Sequence, residues 1–212
     1  MKRTKKILVT LFCAVLLVTG TVAVTVAYLT ASTEVVQNTF TVGSVAITLD
    51  EVQVDPYGEP SINKGTVQAP IWEASTNAPR VKTNSYKLVP GHDYTKDPTV
   101  HVTEGSEPCW LFVKVENGLA LIEDTTTIAA QMTANGWTPV SGATNVYSYE
   151  EVVDARTAAV DRVVFTSFTI KGDASVTDYA TKEITIDAYA VQADGFDTAA
   201  EAWTAAPANW GN

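Results

Sequence analysis

Apolar and polar positions alternate along most of this chain with a period of two, in short runs separated by Gly, Pro, Asn and Asp. That period belongs to strands with one buried face. The first run is Thr39–Val54, where Phe40 and Val42, then Val45, Ile47 and Leu49, keep the alternation on either side of Gly43-Ser44; the dipeptide reads as a bulge. Residues 55–98 carry six prolines and few apolar runs, so a long insertion is expected over about 55–87, followed by a turn at Pro90-Gly91. Strands resume at Pro98–Thr103 and Pro108–Glu116. In the latter, Cys109, Leu111, Val113 and Val115 share one face while Trp110 and Phe112 take the other, so both faces should be buried. Ile128 and Met132 stand four apart before Asn135-Gly136, which predicts a helix over 124–135. Short strands follow at Trp137–Pro139, Asn145–Tyr149, Arg162–Ile170 and Glu183–Gln192, the last with Ile184, Ile186, Ala188 and Ala190 on one face. Thr198 and Glu201 have capping-box spacing at the start of a second short helix. Many short strands with turns at this spacing predict a mainly β protein, an antiparallel sandwich with one or two short helices.

The N-terminus breaks the pattern. Lys2, Arg3, Lys5 and Lys6 precede a run from Ile7 to Ala27 without a charged residue. Thr25 and Ala27 place small side chains at the −3 and −1 positions of a signal-peptidase site, so residues 1–27 read as a signal peptide cut between Ala27 and Tyr28. The rival reading is a retained membrane anchor, since the run is about as long as a spanning helix needs. Four threonines and Gly20 dilute and weaken that helix. On either reading the basic end stays inside and the chain after it faces outward.

Charge and cysteine content then narrow the function classes. Losing residues 1–27 removes four cations and no acid, which takes the formal charge from −10 to −14. So acidic a chain repels nucleic acid and anionic lipid. Cys13 leaves with the signal, so Cys109 remains alone, expected as a buried small hydrophobe rather than half of an intermolecular bridge. No phosphate loop, paired-cysteine metal motif or nucleophile elbow is present. His92 and His101, with Asp93 and Glu104, are the candidate metal ligands, but they lack the helical spacing of a zinc protease and read as surface histidines. The acidic pairs Asp50-Glu51 and Glu150-Glu151, with Asp194, lack the spacing of a calcium loop and read as solvated charge. No catalytic residue, cofactor or metal is expected.

The stretch Val26-Ala27-Tyr28-Leu29-Thr30 followed by residues 38–49, NTFTVGSVAITL, resembles the N-terminal signature of the secreted TasA/camelysin (CalY) family of Gram-positive bacteria. Leu88-Val89-Pro90-Gly91 with Lys96-Asp97, the run 107–115 and the run 184–196 are also similar to that family. Ala31 stands where the family has an aspartate, and 55–87 has no counterpart. The resemblance implies a jelly-roll-like β-sandwich, processing by a SipW-type signal peptidase, and assembly of the secreted product into biofilm-matrix fibres at the cell surface. Camelysin-type members are classed as metalloproteases, but no ligand set here supports that activity.

The expected organisation is therefore a signal peptide (1–27), an N-terminal assembly strand (28–38) and a β-sandwich domain (39–212). In the strand, Leu29, Ala31, Thr33 and Val35 share one face behind the new N-terminus at Tyr28. Once freed by cleavage it can add to an open sheet edge of another copy, head to tail, giving a homopolymer. The alternatives are pairing of this strand within its own sandwich, a cell-surface metalloprotease, and a monomeric adhesin using Tyr57, Trp72 and Tyr86 in the insertion. Other matrix proteins are possible partners; nucleic acid and, after cleavage, membrane are not expected.

Overall fold

The computed structural model describes residues 43–206, and the expected signal peptide, cleavage site and assembly strand all lie outside them. Thirteen strands are described: β1 (Ile47–Val52), β2 (Ser61–Asn63), β3 (Trp72–Ala74), β4 (Arg80–Val81), β5 (Asp93–Thr95), β6 (Thr99–Val102), β7 (Ser106–Asn117), β8 (Trp137–Pro139), β9 (Val146–Tyr149), β10 (Val153–Ala155), β11 (Val160–Val163), β12 (Ser167–Thr169) and β13 (Ile184–Gln192). Three short helices accompany them: α1 (Ile128–Ala134), α2 (Val176–Tyr179) and α3 (Ala199–Trp203).

Every ladder is antiparallel. One sheet runs β11-β6-β1-β4. The other is organised on β7, which carries β13 along one edge, and β10 and β9 in succession along the other, with β8 outside β9. Val100 and Val102 from the first sheet join Cys109, Leu111, Val113 and Val115 of β7 in one buried cluster, so the two sheets share a core. The protein is a mainly β, antiparallel sandwich.

Alternation explains why β7 is its axis. The odd positions Cys109 to Val115 enter the inter-sheet core, while Trp110 and Phe112 enter a second cluster with Val191, Ala202 and Trp203. Helix α3 covers that outer face, its Trp203 ring 5.3 Å from Phe112. Thr198 accepts from the Glu201 N–H at 3.2 Å, and Glu201 reaches back to the Asp197 N–H at 2.9 Å, so the expected cap forms with its return bond one residue early. Thr127 caps α1, whose Ile128 and Met132 are buried, and Gly136 follows with φ 85°.

Several boundaries differ from the sequence expectation. Within the run expected from Thr39 to Val54, strand pairing begins only at Ile47 among the described residues. The stretch 162–170 is two strands rather than one: β11 pairs with β6 and β12 with β5. Consecutive burial of Val164 and Phe165 breaks the period of two between them. Residues 55–87 are not bare loop, since β2 and β3 form a hairpin and β4 pairs with the end of β1. Strand β10 and helix α2 have no counterpart in the expectation, and α2 brings the short helices among the described residues to three.

Candidate functional site

Among the described residues, antiparallel pairing leaves one seam of the sandwich open. Strand β1 pairs with β6 over Ile47–Asp50, but β4 reaches its other edge only at Glu51 and Val52. Strand β13 pairs with β7 throughout and with no other described strand. The two strands lie alongside each other with no ladder between them. Between them runs a cleft of about 530 Å³ lined by 47–51 and by 184–188. Ile47, Leu49, Ile184, Ile186 and Ala188 are all half-buried against the main core here. A second cavity of about 490 Å³ continues past Glu51, Lys82 and Lys96 toward Tyr86, Leu119 and Phe168. The seam thus offers apolar rows at sheet edges, the arrangement that accepts an added strand.

Charged groups line the same seam. Lys82 Nζ donates to the Leu49 carbonyl at the β1 edge. Glu51 and Lys96 are both buried, and Lys96 Nζ stands 2.6 Å from Glu51 Oε2. Burying both ions costs solvation that only close pairing and further hydrogen bonds offset. Asn84 provides one such bond, its Nδ2 donating to Glu51 Oε1 at 3.0 Å. On the outer surface, Arg80 bridges Asp50 and Asp97, and His101 sits between Asp50 (2.9 Å) and Asp161 (2.7 Å). Partial burial opposes ionisation of Asp50, but the bonds from Arg80 and His101 outweigh it and hold its carboxyl below the usual range. Burial likewise opposes the His101 cation, yet Asp161 and Asp50 raise its pKa above the ordinary histidine value. The expectation of solvated charge at Asp50-Glu51 is thereby corrected: both residues are paired. Glu150, Glu151 and Asp194 are exposed, as expected.

The other candidates from sequence separate. His92 bonds the Tyr57 carbonyl through Nε2 at 2.8 Å, whereas His101 belongs to the acidic bridge just described; Asp93 accepts from Thr169, and Glu104 is exposed. Among the described residues no group of three or more His, Cys, Asp or Glu is placed to hold a metal ion. Cys109 is fully buried and free, and burial pushes its thiol up to about 11. Of the insertion's aromatics, Tyr57 is exposed, Trp72 is half-buried, and Tyr86 packs on the core with its hydroxyl donating to the Thr95 carbonyl at 3.0 Å. Ala27, Tyr28, Leu29, Ala31, Thr33 and Val35 lie outside the described residues. Sequence reasoning missed Lys82, Asn84 and Lys96, because the pairings that join them to β1 span 33 to 45 positions and leave no local pattern.

Comparison with family models, with curated proteins and with solved structures returned no match.

Proposed function

We propose that the chain is an exported structural subunit that polymerises into extracellular matrix fibres by strand donation. The observation that carries this reading is the open seam between β1 and β13, with its apolar rows Ile47, Leu49, Ile184, Ile186 and Ala188. Cleavage after Ala27 gives a new N-terminus followed by Leu29, Ala31, Thr33 and Val35 on one face. Laid into the seam of a second copy, that face covers the apolar rows while its main chain bonds a free sheet edge. The contact is head to tail and does not close on itself, so it propagates as a filament. The resemblance to secreted TasA/camelysin proteins supports the same reading, including processing by a SipW-type peptidase.

The test compares mature protein starting at Tyr28 with protein starting at Thr39, under electron microscopy and sedimentation. Fibres are expected from the first and monomers from the second. Equal fibre yield would remove strand donation from the account.

A second reading, a monomeric surface adhesin, draws on the strongly exposed Val67 and Ile71 between and beside β2 and β3. Deleting residues 64–70 abolishes surface binding on that reading and leaves fibre formation intact on the first.

A further inference from the structure

The buried pair at the seam carries a third member, and together the three have the composition of a covalent cross-linking site. Glu51 Oε2 contacts Lys96 Nζ at 2.6 Å, and Glu51 Oε1 accepts from Asn84 Nδ2 at 3.0 Å. One carboxylate therefore holds an amine and a carboxamide at once. The Asn84 amide is fixed further, its Oδ1 accepting from the Val54 N–H at 3.0 Å and its Nδ2 donating to the Val52 carbonyl at 2.8 Å. Aromatic rings wall the site: Tyr86 lies 5.9 Å from Lys96 Nζ, and Tyr94 and Phe168 stack behind it with centroids 5.0 Å apart. Glu51 and Lys96 are 5% and 7% exposed, so bulk water does not screen the exchange of a proton between them.

We propose that Lys96 and Asn84 are joined side chain to side chain by an isopeptide bond, with Glu51 as the proton carrier. Glu51 Oε2 takes a proton from the Lys96 ammonium, which frees the nitrogen lone pair. That nitrogen attacks Asn84 Cγ, and negative charge develops on Oδ1, where the Val54 N–H already donates. Glu51 then gives its proton through Oε1 to Nδ2, the Cγ–Nδ2 bond breaks, and ammonia leaves. The tetrahedral centre's remaining N–H proton passes to the departing ammonia, which exits as ammonium. Lys96 ammonium plus Asn84 carboxamide thus become a secondary amide plus ammonium, with charge conserved and no oxidant or cofactor consumed.

The bond would tie the 82–88 wall of the seam to the segment that leads into β6. It would serve a chain whose one cysteine among the described residues is buried and free, and which therefore has no disulfide there. It is independent of strand donation.

The test is the intact mass, under denaturing conditions, of the mature chain purified as secreted. The wild type is expected to lack about 17 Da, one ammonia. Trypsin is expected to release the peptide 83–87 joined to 88–114, since the modified Lys96 resists cleavage. Lys96→Met and Glu51→Gln are both expected at full sequence mass. Wild type at full sequence mass overturns the proposal. So does an ammonia loss confined to 83–87 that persists in Lys96→Met, which marks a succinimide at Asn84. The wild-type peptide map decides the matter even where a variant fails to fold.

Discussion

His101 stands on β6 with its ring between Asp50 on β1 and Asp161 on β11, so one imidazole ring ties three neighbouring strands at their surface. Both carboxylates favour its charged form, and its pKa is raised in the folded chain. A raised folded pKa stabilises fully below the unfolded value, about 6.5, and the contribution is lost as pH rises through the folded pKa. Asp50 works in the opposite sense, because its lowered pKa contributes stability above the unfolded carboxylate range that disappears in acid. The His101→Asn variant, measured by urea unfolding against pH, is therefore expected to differ most from wild type near pH 6 and to converge with it in alkali. The difference should stay below about 1 kcal/mol, since water reaches these groups. A gap that widens with rising pH would show that His101 is held neutral.

Among the elements, α3 shows how a five-residue helix comes to matter. Trp203 is 7% exposed and closes the outer face of β7 with Phe112, while the Trp110 indole N–H donates to the Phe196 carbonyl at 3.2 Å. Trp203→Ala should cost about 3 kcal/mol or more and expose Trp110 and Phe112, which thermal melts with dye binding will report. Much at this scale was legible beforehand. The two-faced burial of β7, the inward row of β13 and the Ile128/Met132 face of α1 all follow from local periodicity. The three-residue β10 and four-residue α2 are too short to carry a period. The Glu51–Lys96–Asn84 set was illegible for another reason: each member looks like an ordinary surface residue until tertiary pairing buries two of them.

For the whole molecule, the closed core and the proposed assembly surface are separate. The core shared by β6 and β7 is closed, whereas the seam leaves Ile47, Leu49, Ile184, Ile186 and Ala188 only half covered. Half-buried apolar rows along a sheet edge are a hazard unless something covers them, and this chain is otherwise strongly self-repelling at a formal charge of −10. Ile186 is the discriminating position, because it faces the cleft on β13 opposite Val115 and is not sealed in the core. In Ile186→Lys the long side chain can extend from the half-open seam to water, so the fold should survive with a loss of about 1–2 kcal/mol. Covering the seam, however, would bury that charge without a partner, which costs far more. The variant is thus expected to melt cooperatively as a monomer and to form no fibres. A synthetic peptide of residues 28–37 should bind the Thr39-start protein and fail to bind its Ile186→Lys form, as read by calorimetry. Fibres growing at the wild-type rate from Ile186→Lys would place the subunit contact elsewhere on the surface and leave the seam without a part in assembly.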